Sequence, residues 1–156
     1  MRLLLDTHTL LWSIGKSNEL SEKIIRELKD VNNEVLVSAV SLWEIALKQS
    51  IGKLRLSQNP VGYGMHSKTE TWEQLPSAMD FFDISNIPAY CEEMGFALIP
   101  LEAADALNSA RLPQKSIHKD PFDRMLIYQC IKNGYVFASK DAKIKIYKED
   151  GLQYIW

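Results

Sequence analysis

Residues 120–141, DPFDRMLIYQCIKNGYVFASKD, carry the pattern that decides the fold. Phe122, Leu126, Ile127, Cys130 and Ile131 recur at helical spacing and form one apolar stripe. Asp120 stands where a helix N-cap belongs, Pro121 at the first helical position, and Asp123 in the first turn, where an acid suits the helix dipole. Gly134 stops the helix, and Val136-Phe137-Ala138 follows as the short apolar run of a buried strand. A helix feeding a buried strand is the repeating unit of an α/β chain.

The same alternation extends in both directions. Leu3-Leu4-Leu5, Val35-Leu36-Val37, Phe96-Ala97-Leu98-Ile99 and Tyr154-Ile155 are further strand candidates. Between them, Ile24, Ile25, Leu28 and Val31 step at helical spacing behind Ser21 as N-cap. Leu42, Ile45, Ala46 and Leu47 make another helix that ends near Gly52, and Pro88 to Met94 a short one. Ala103 to Leu112 is helical, with Ala104, Leu107 and Ala110 or Arg111 around one face. Apolar strands alternating with helices imply a parallel sheet covered on both faces. Right-handed crossovers make it doubly wound.

The length of 156 residues, 46% of them hydrophobic, suits one globular domain. At about 57–83 the pattern weakens: Pro60, Gly62, Gly64 and Pro76 interrupt it, yet Tyr63, Met65, Trp72, Phe81 and Phe82 are too apolar for a linker. A compact insertion within the domain is expected there. Eighteen Lys and Arg against 20 Asp and Glu give a net charge of −2, without the basic excess of a general nucleic-acid binder. No apolar run approaches the roughly 20 residues of a membrane span, and Asp6 and His8 break the opening apolar run too early for a signal peptide. Cys91 and Cys130 form no CxxC pair, which suits a reducing cytoplasm.

Four carboxylates fall at related places. Asp6 ends the first strand, Glu44 lies in the first turns of the helix after the second, and Asp141 follows the fourth. In a parallel sheet the ligand crevice lies beyond the carboxyl ends of the strands, so these three face one crevice. Asp123 joins them if its helix begins at that edge. Each has a simpler role: a turn cap for Asp6, a capping box Ser41-Leu42-Trp43-Glu44, a helix dipole for Asp123, a cap for Asp141. Gathered, however, like charges repel and some carboxyls would keep their protons. A divalent cation removes that conflict, and all-oxygen donors favour Mg²⁺ or Mn²⁺ over zinc. His8, His66 and His118 show no metal-ligand spacing. Lys115, Lys119, Arg124, Lys140 and Lys143 flank the crevice as candidate phosphate contacts. Trp12, Trp43 and Tyr63 are candidate base stackers, although Trp12 and Trp43 read first as core.

In four segments the chain resembles the PIN-domain family, and within it the VapC-type toxins of bacterial toxin–antitoxin pairs. They are Leu4-Leu5-Asp6-Thr7-His8-Thr9-Leu10-Leu11-Trp12, Ser38-Ala39-Val40-Ser41-Leu42-Trp43-Glu44-Ile45-Ala46, His118-Lys119-Asp120-Pro121-Phe122-Asp123-Arg124 and Ala138-Ser139-Lys140-Asp141. Each is weak alone; their order is specific and spans nearly the whole chain. The resemblance implies a three-layer α/β/α sandwich on a mainly parallel sheet of about five strands, and a Mg²⁺- or Mn²⁺-dependent endoribonuclease. It maps the family's acids onto Asp6, Glu44, Asp123 and Asp141, with Asp120 and Ser139 in support; of the flanking basic residues, Lys119, Arg124 and Lys140 are the possible RNA contacts. It further implies an RNA substrate, a cognate antitoxin and a homodimer. Two rivals remain: another α/β phosphohydrolase, and an inactive PIN-like binding module. A haloacid-dehalogenase-like site wants a second Asp where His8 stands, and a receiver domain wants an acidic pair where Asp6 is single.

Overall fold

The computed structural model describes residues 1–15, 17–54, 84–113 and 119–156. The expected insertion at 57–83 lies outside the described residues, as do Tyr63, His66, Lys115 and His118.

Five strands form one sheet: β1 (Arg2–Leu5), β2 (Glu34–Ser38), β3 (Ala97–Ile99), β4 (Val136–Ala138) and β5 (Gln153–Ile155). Their spatial order is β3-β2-β1-β4-β5, and every pairing is parallel. Leu4 of β1 lies opposite Leu36 of β2 on one side and Phe137 of β4 on the other. Starting from β1, the chain winds outward through β2 and β3, then returns to lay β4 and β5 on the opposite flank.

Among the described residues, six α-helices connect the strands: α1 (Thr7–Gly15), α2 (Glu22–Lys29), α3 (Ala39–Ser50), α4 (Ile87–Glu93), α5 (Ala103–Ser109) and α6 (Pro121–Asn133). Because strand side chains alternate between faces, β1 feeds two cores. Leu3 and Leu5 pack with Leu10 and Ile14 of α1, Ile24 and Leu28 of α2, and Ile87 and Cys91 of α4. Leu4 packs on the other face with Leu126, Ile127 and Cys130 of α6 and with Ile144 and Tyr147. The result is the expected three-layer sandwich.

Many local signals are those that the sequence carries, but α2 and α5 differ. Ser21 caps α2 by accepting from the Ile24 N–H at 3.2 Å, but α2 stops at Lys29 and Val31 is 73% exposed in the turn beyond. On α5 the apolar face Ala104, Leu107 and Ala110 points outward, Leu107 being 76% exposed. The buried side of α5 is instead polar: Asp105 pairs with Lys132 of α6 at 2.5 Å. A part-buried ion pair to the next helix, its carboxylate inside and its lysine at the surface, orients α5 against its own hydropathy.

Candidate active site

At the carboxyl ends of the strands, β1 and β4 are neighbours whose following connections diverge, which makes the gap between them the topological switch point. The chain closes it with polar bonds. Asp6 N–H donates to the Ala138 carbonyl at 3.1 Å. The buried Ser139 hydroxyl donates to Asp6 Oδ2 at 2.7 Å and accepts from the Asp141 N–H at 3.2 Å. Thr9 of α1 reaches across to the Ala138 carbonyl at 2.9 Å. Asp6 and Asp141 are thus held by one serine. Among the described residues, the buried Asp6 Oδ1 has no hydrogen-bond partner.

The other acids come from α3 and α6, which pack together here. Glu44 is buried in α3; its Oε2 accepts from the Thr7 hydroxyl at 2.6 Å, and its Oε1 is ion-paired with Lys48, one turn on. Asp120 caps α6, accepting from the Phe122 N–H at 2.9 Å. Asp123 follows in the first turn. Asp141 caps the 3₁₀ turn Ala142–Tyr147, accepting from the Lys143 N–H at 2.8 Å.

These carboxylates share one electrostatic field. Burial, joined by the charges of Asp6, Asp120, Glu44 and Asp141, pushes the Asp123 carboxyl up to about 8. Burial also raises Asp6; the Ser139 bond and His8 pull against that rise, and Glu44 adds to it. For Lys48, burial works against the ammonium, but the bond to Glu44 and the fields of Glu44, Asp120 and Asp123 outweigh it and favour the charged form. The acids do not converge on one point: among the described residues, no three His, Cys, Asp or Glu side chains are placed to hold a metal ion together. Their oxygens are turned to in-chain partners, Lys48 and Thr7 at Glu44, the Lys143 N–H at Asp141 and Ser139 at Asp6.

Neither family models nor curated proteins match the chain. Solved structures do. VapBC2 from Rickettsia felis, bound to a DNA fragment from its promoter, superposes with a TM-score of 0.62 at 15% identity, covering 99% of this chain and 98% of that one. VapBC-1 from nontypeable Haemophilus influenzae gives 0.56 at 14% identity, with 99% and 97% covered. DNA-bound VapBC from Salmonella typhimurium gives the same values.

The fold is PIN-like. Within this PIN-like sheet, Asp6, Glu44, Asp123 and Asp141 lie at one edge and within reach of each other's charge. Asp120 and Ser139 sit beside them, Asp120 as cap and Ser139 as the bridge between β1 and β4. The capping box does not form: the N-cap of α3 is Ser38, which accepts from the Val40 N–H at 3.1 Å, and Ser41 lies inside the helix. Glu44, placed in the second turn, is therefore free of that local role.

The basic residues divide. Lys119 is exposed just before α6. Arg124 donates to the Leu112 carbonyl at 2.5 Å, the Pro113 carbonyl at 3.1 Å and the Tyr147 hydroxyl at 3.3 Å, so its guanidinium is spent on fixing the chain before α6. Lys140 lies 3.3 Å from Glu19 and over the Trp12 ring at 5.2 Å. Trp12 packs at the core margin against Trp156, as a core residue would. Trp43 does not: it is 56% exposed, its ring 5.0 Å from that of Phe122. Thr7 and Lys48 are the site residues that sequence reasoning missed. For Lys48 a signal existed, the Glu-to-Lys spacing of four along one helix face. For Thr7 there was none, since its partner is 37 residues away.

Proposed function

We propose that the chain is a metal-dependent endoribonuclease, the toxin of a toxin–antitoxin pair, acting in a reducing cytoplasm. The observation that carries the reading is that four acids from four separate segments lie at one sheet edge within reach of each other's charge, with the buried Asp6 Oδ1 unpartnered among the described residues. An orphaned buried carboxylate oxygen costs on the order of 1–3 kcal/mol of lost solvation, and more when charged, unless something binds it. A donor set made only of oxygens fits a hard ion, Mg²⁺ or Mn²⁺. When bound, such an ion supplies a more acidic water and offsets charge on the phosphoryl oxygens.

The chain's own residues do the positioning. Asp6 and Asp141 are the first-choice ligands, and Ser139 holds both in register. Glu44 and Asp123 complete the set directly or through water, with Thr7 fixing Glu44. Lys119 and Lys140, exposed at the rim, are candidate phosphate contacts. The VapBC neighbours support a cognate antitoxin as partner, and the outward apolar face of α5 suits a homodimer. Free, buried Cys91 and Cys130 suit the reducing compartment. Among the described residues no helix is long and apolar enough to cross a membrane.

The test is digestion of total RNA with and without Mg²⁺, comparing wild type with Asp6→Asn and Asp141→Asn. Cleavage that needs the ion and falls about a thousandfold in either variant is expected. Identical banding from wild type and variants overturns the reading. Turnover of a small phosphate ester with RNA left intact assigns the site to another phosphohydrolase, and no turnover of either substrate leaves a binding module.

A further inference from the structure

Glu44 and Asp6 are the two buried acids of the edge, and they stand in opposite states. Among the described residues, Asp6 keeps one oxygen without a hydrogen-bond partner. Both oxygens of Glu44 are taken, Oε2 by the Thr7 hydroxyl at 2.6 Å and Oε1 by the Lys48 ammonium. The pairing has the spacing of an ordinary i,i+4 helix bridge, but such bridges join two solvated side chains. Here the Glu44 side chain is 3% exposed and the Lys48 side chain 31%. The carboxylate cannot turn to water; the lysine can swing outward on its flexible stem. Lys48 also lies in the field of Asp120 and Asp123, so its charge compensates more than one acid of the group.

We propose that Lys48 is a built-in cation of the acid site, occupying the Glu44 oxygen that a divalent ion would take and leaving it when the ion binds. The inference rests on the divalent-ion reading above and adds a competitor to it. An ammonium and a divalent ion crowded onto one carboxylate oxygen repel each other, so an ion bound through Glu44 Oε1 favours release of the Lys48 ammonium to solvent. Lys48 thereby sets the affinity of the site, and its charge keeps the ion-free acids together.

Two measurements on the full chain test this. In the first, acetylation of lysines is followed by mass spectrometry with and without Mn²⁺, using Lys29 and Lys53 as internal references. Lys48 is expected to react several-fold faster with Mn²⁺ present while the references hold steady. In the second, Mn²⁺ binding is measured by calorimetry for wild type, Lys48→Met, Lys48→Gln and Lys48→Arg. The two neutral variants are expected to bind about tenfold more tightly than wild type, and the arginine variant about as wild type does. Unchanged labelling of Lys48 with Mn²⁺ bound, or neutral variants that bind no better, overturns the proposal. RNA cleavage reports separately. Release of Lys48 without cleavage leaves the inference standing and removes the nuclease reading; cleavage with Lys48 unmoved does the reverse. Absence of Mn²⁺ binding in every protein removes both.

Discussion

Asp123 concentrates the electrostatic conflict of the site in one side chain. Its carboxyl is pushed up to about 8 by burial and four neighbouring acids, against about 3.9 in an unfolded chain. Between those values the folded protein holds a proton that the unfolded one has released. Stability of the ion-free protein therefore falls as pH rises from about 4 towards 8, by on the order of a few kcal/mol. Thermal melts in EDTA across that range check the sign, and Asp123→Asn should flatten part of the slope, with the remainder owed to Asp6. Equal slopes in both proteins would show that Asp123 does not carry the burden. At this scale the sequence was legible for residues whose role is local. Asp120 and Asp141 are caps that any reader of helix starts would find. That Asp123 also answers to Asp6, Glu44 and Asp141 depends on charges up to 117 positions away in the chain, which spacing cannot reveal.

Among the elements, α3 shows how local grammar misleads. Ser41 and Glu44 have the spacing of a capping box, yet the helix begins three residues earlier, at Ser38. Ser38 both caps α3 and donates to Gln129 of α6 at 2.7 Å, joining the helices that carry Glu44 and Asp123. Ser41 is fully buried, and among the described residues its hydroxyl has no hydrogen-bond partner. The two serines should behave oppositely in urea denaturation: Ser38→Ala is expected to cost about 1–2 kcal/mol, and Ser41→Ala to be neutral or to gain up to about 1 kcal/mol. A capping box would require the reverse. Helix α5 departs from its pattern for a related reason. The ion pair of Asp105 with Lys132 turns its polar side inward, and neither partner announces the other across 27 residues. By contrast α6, with Asp120, Pro121 and Gly134 at its ends, is marked at both boundaries by residues that act on their immediate neighbours.

For the molecule as a whole, the strand order places β1 between β2 and β4, so that Asp6 bonds Ser139 on one side and lies in the field of Glu44 on the other. A ligand bound across this gap ties together segments more than a hundred residues apart and acts on the global folding equilibrium. Mn²⁺ at about a hundred times its dissociation constant should stabilise the protein by about 2.7 kcal/mol, seen as a rise of several degrees in melting temperature. Asp6→Asn should lose most of that rise; a variant that keeps it would place the ion elsewhere. The alternation of apolar strands and amphipathic helices settled the class of fold, the parallel sheet and the edge where a site would lie, because burial pattern and helix punctuation act over a few residues and are written in them. Which oxygens are already spoken for was decided in three dimensions: Lys48 and Thr7 on Glu44, carbonyls on Arg124, nothing on Asp6 Oδ1. Hydrogen bonds and fields between distant segments depend on separation in space, and that is a property of the packed chain, not of its order.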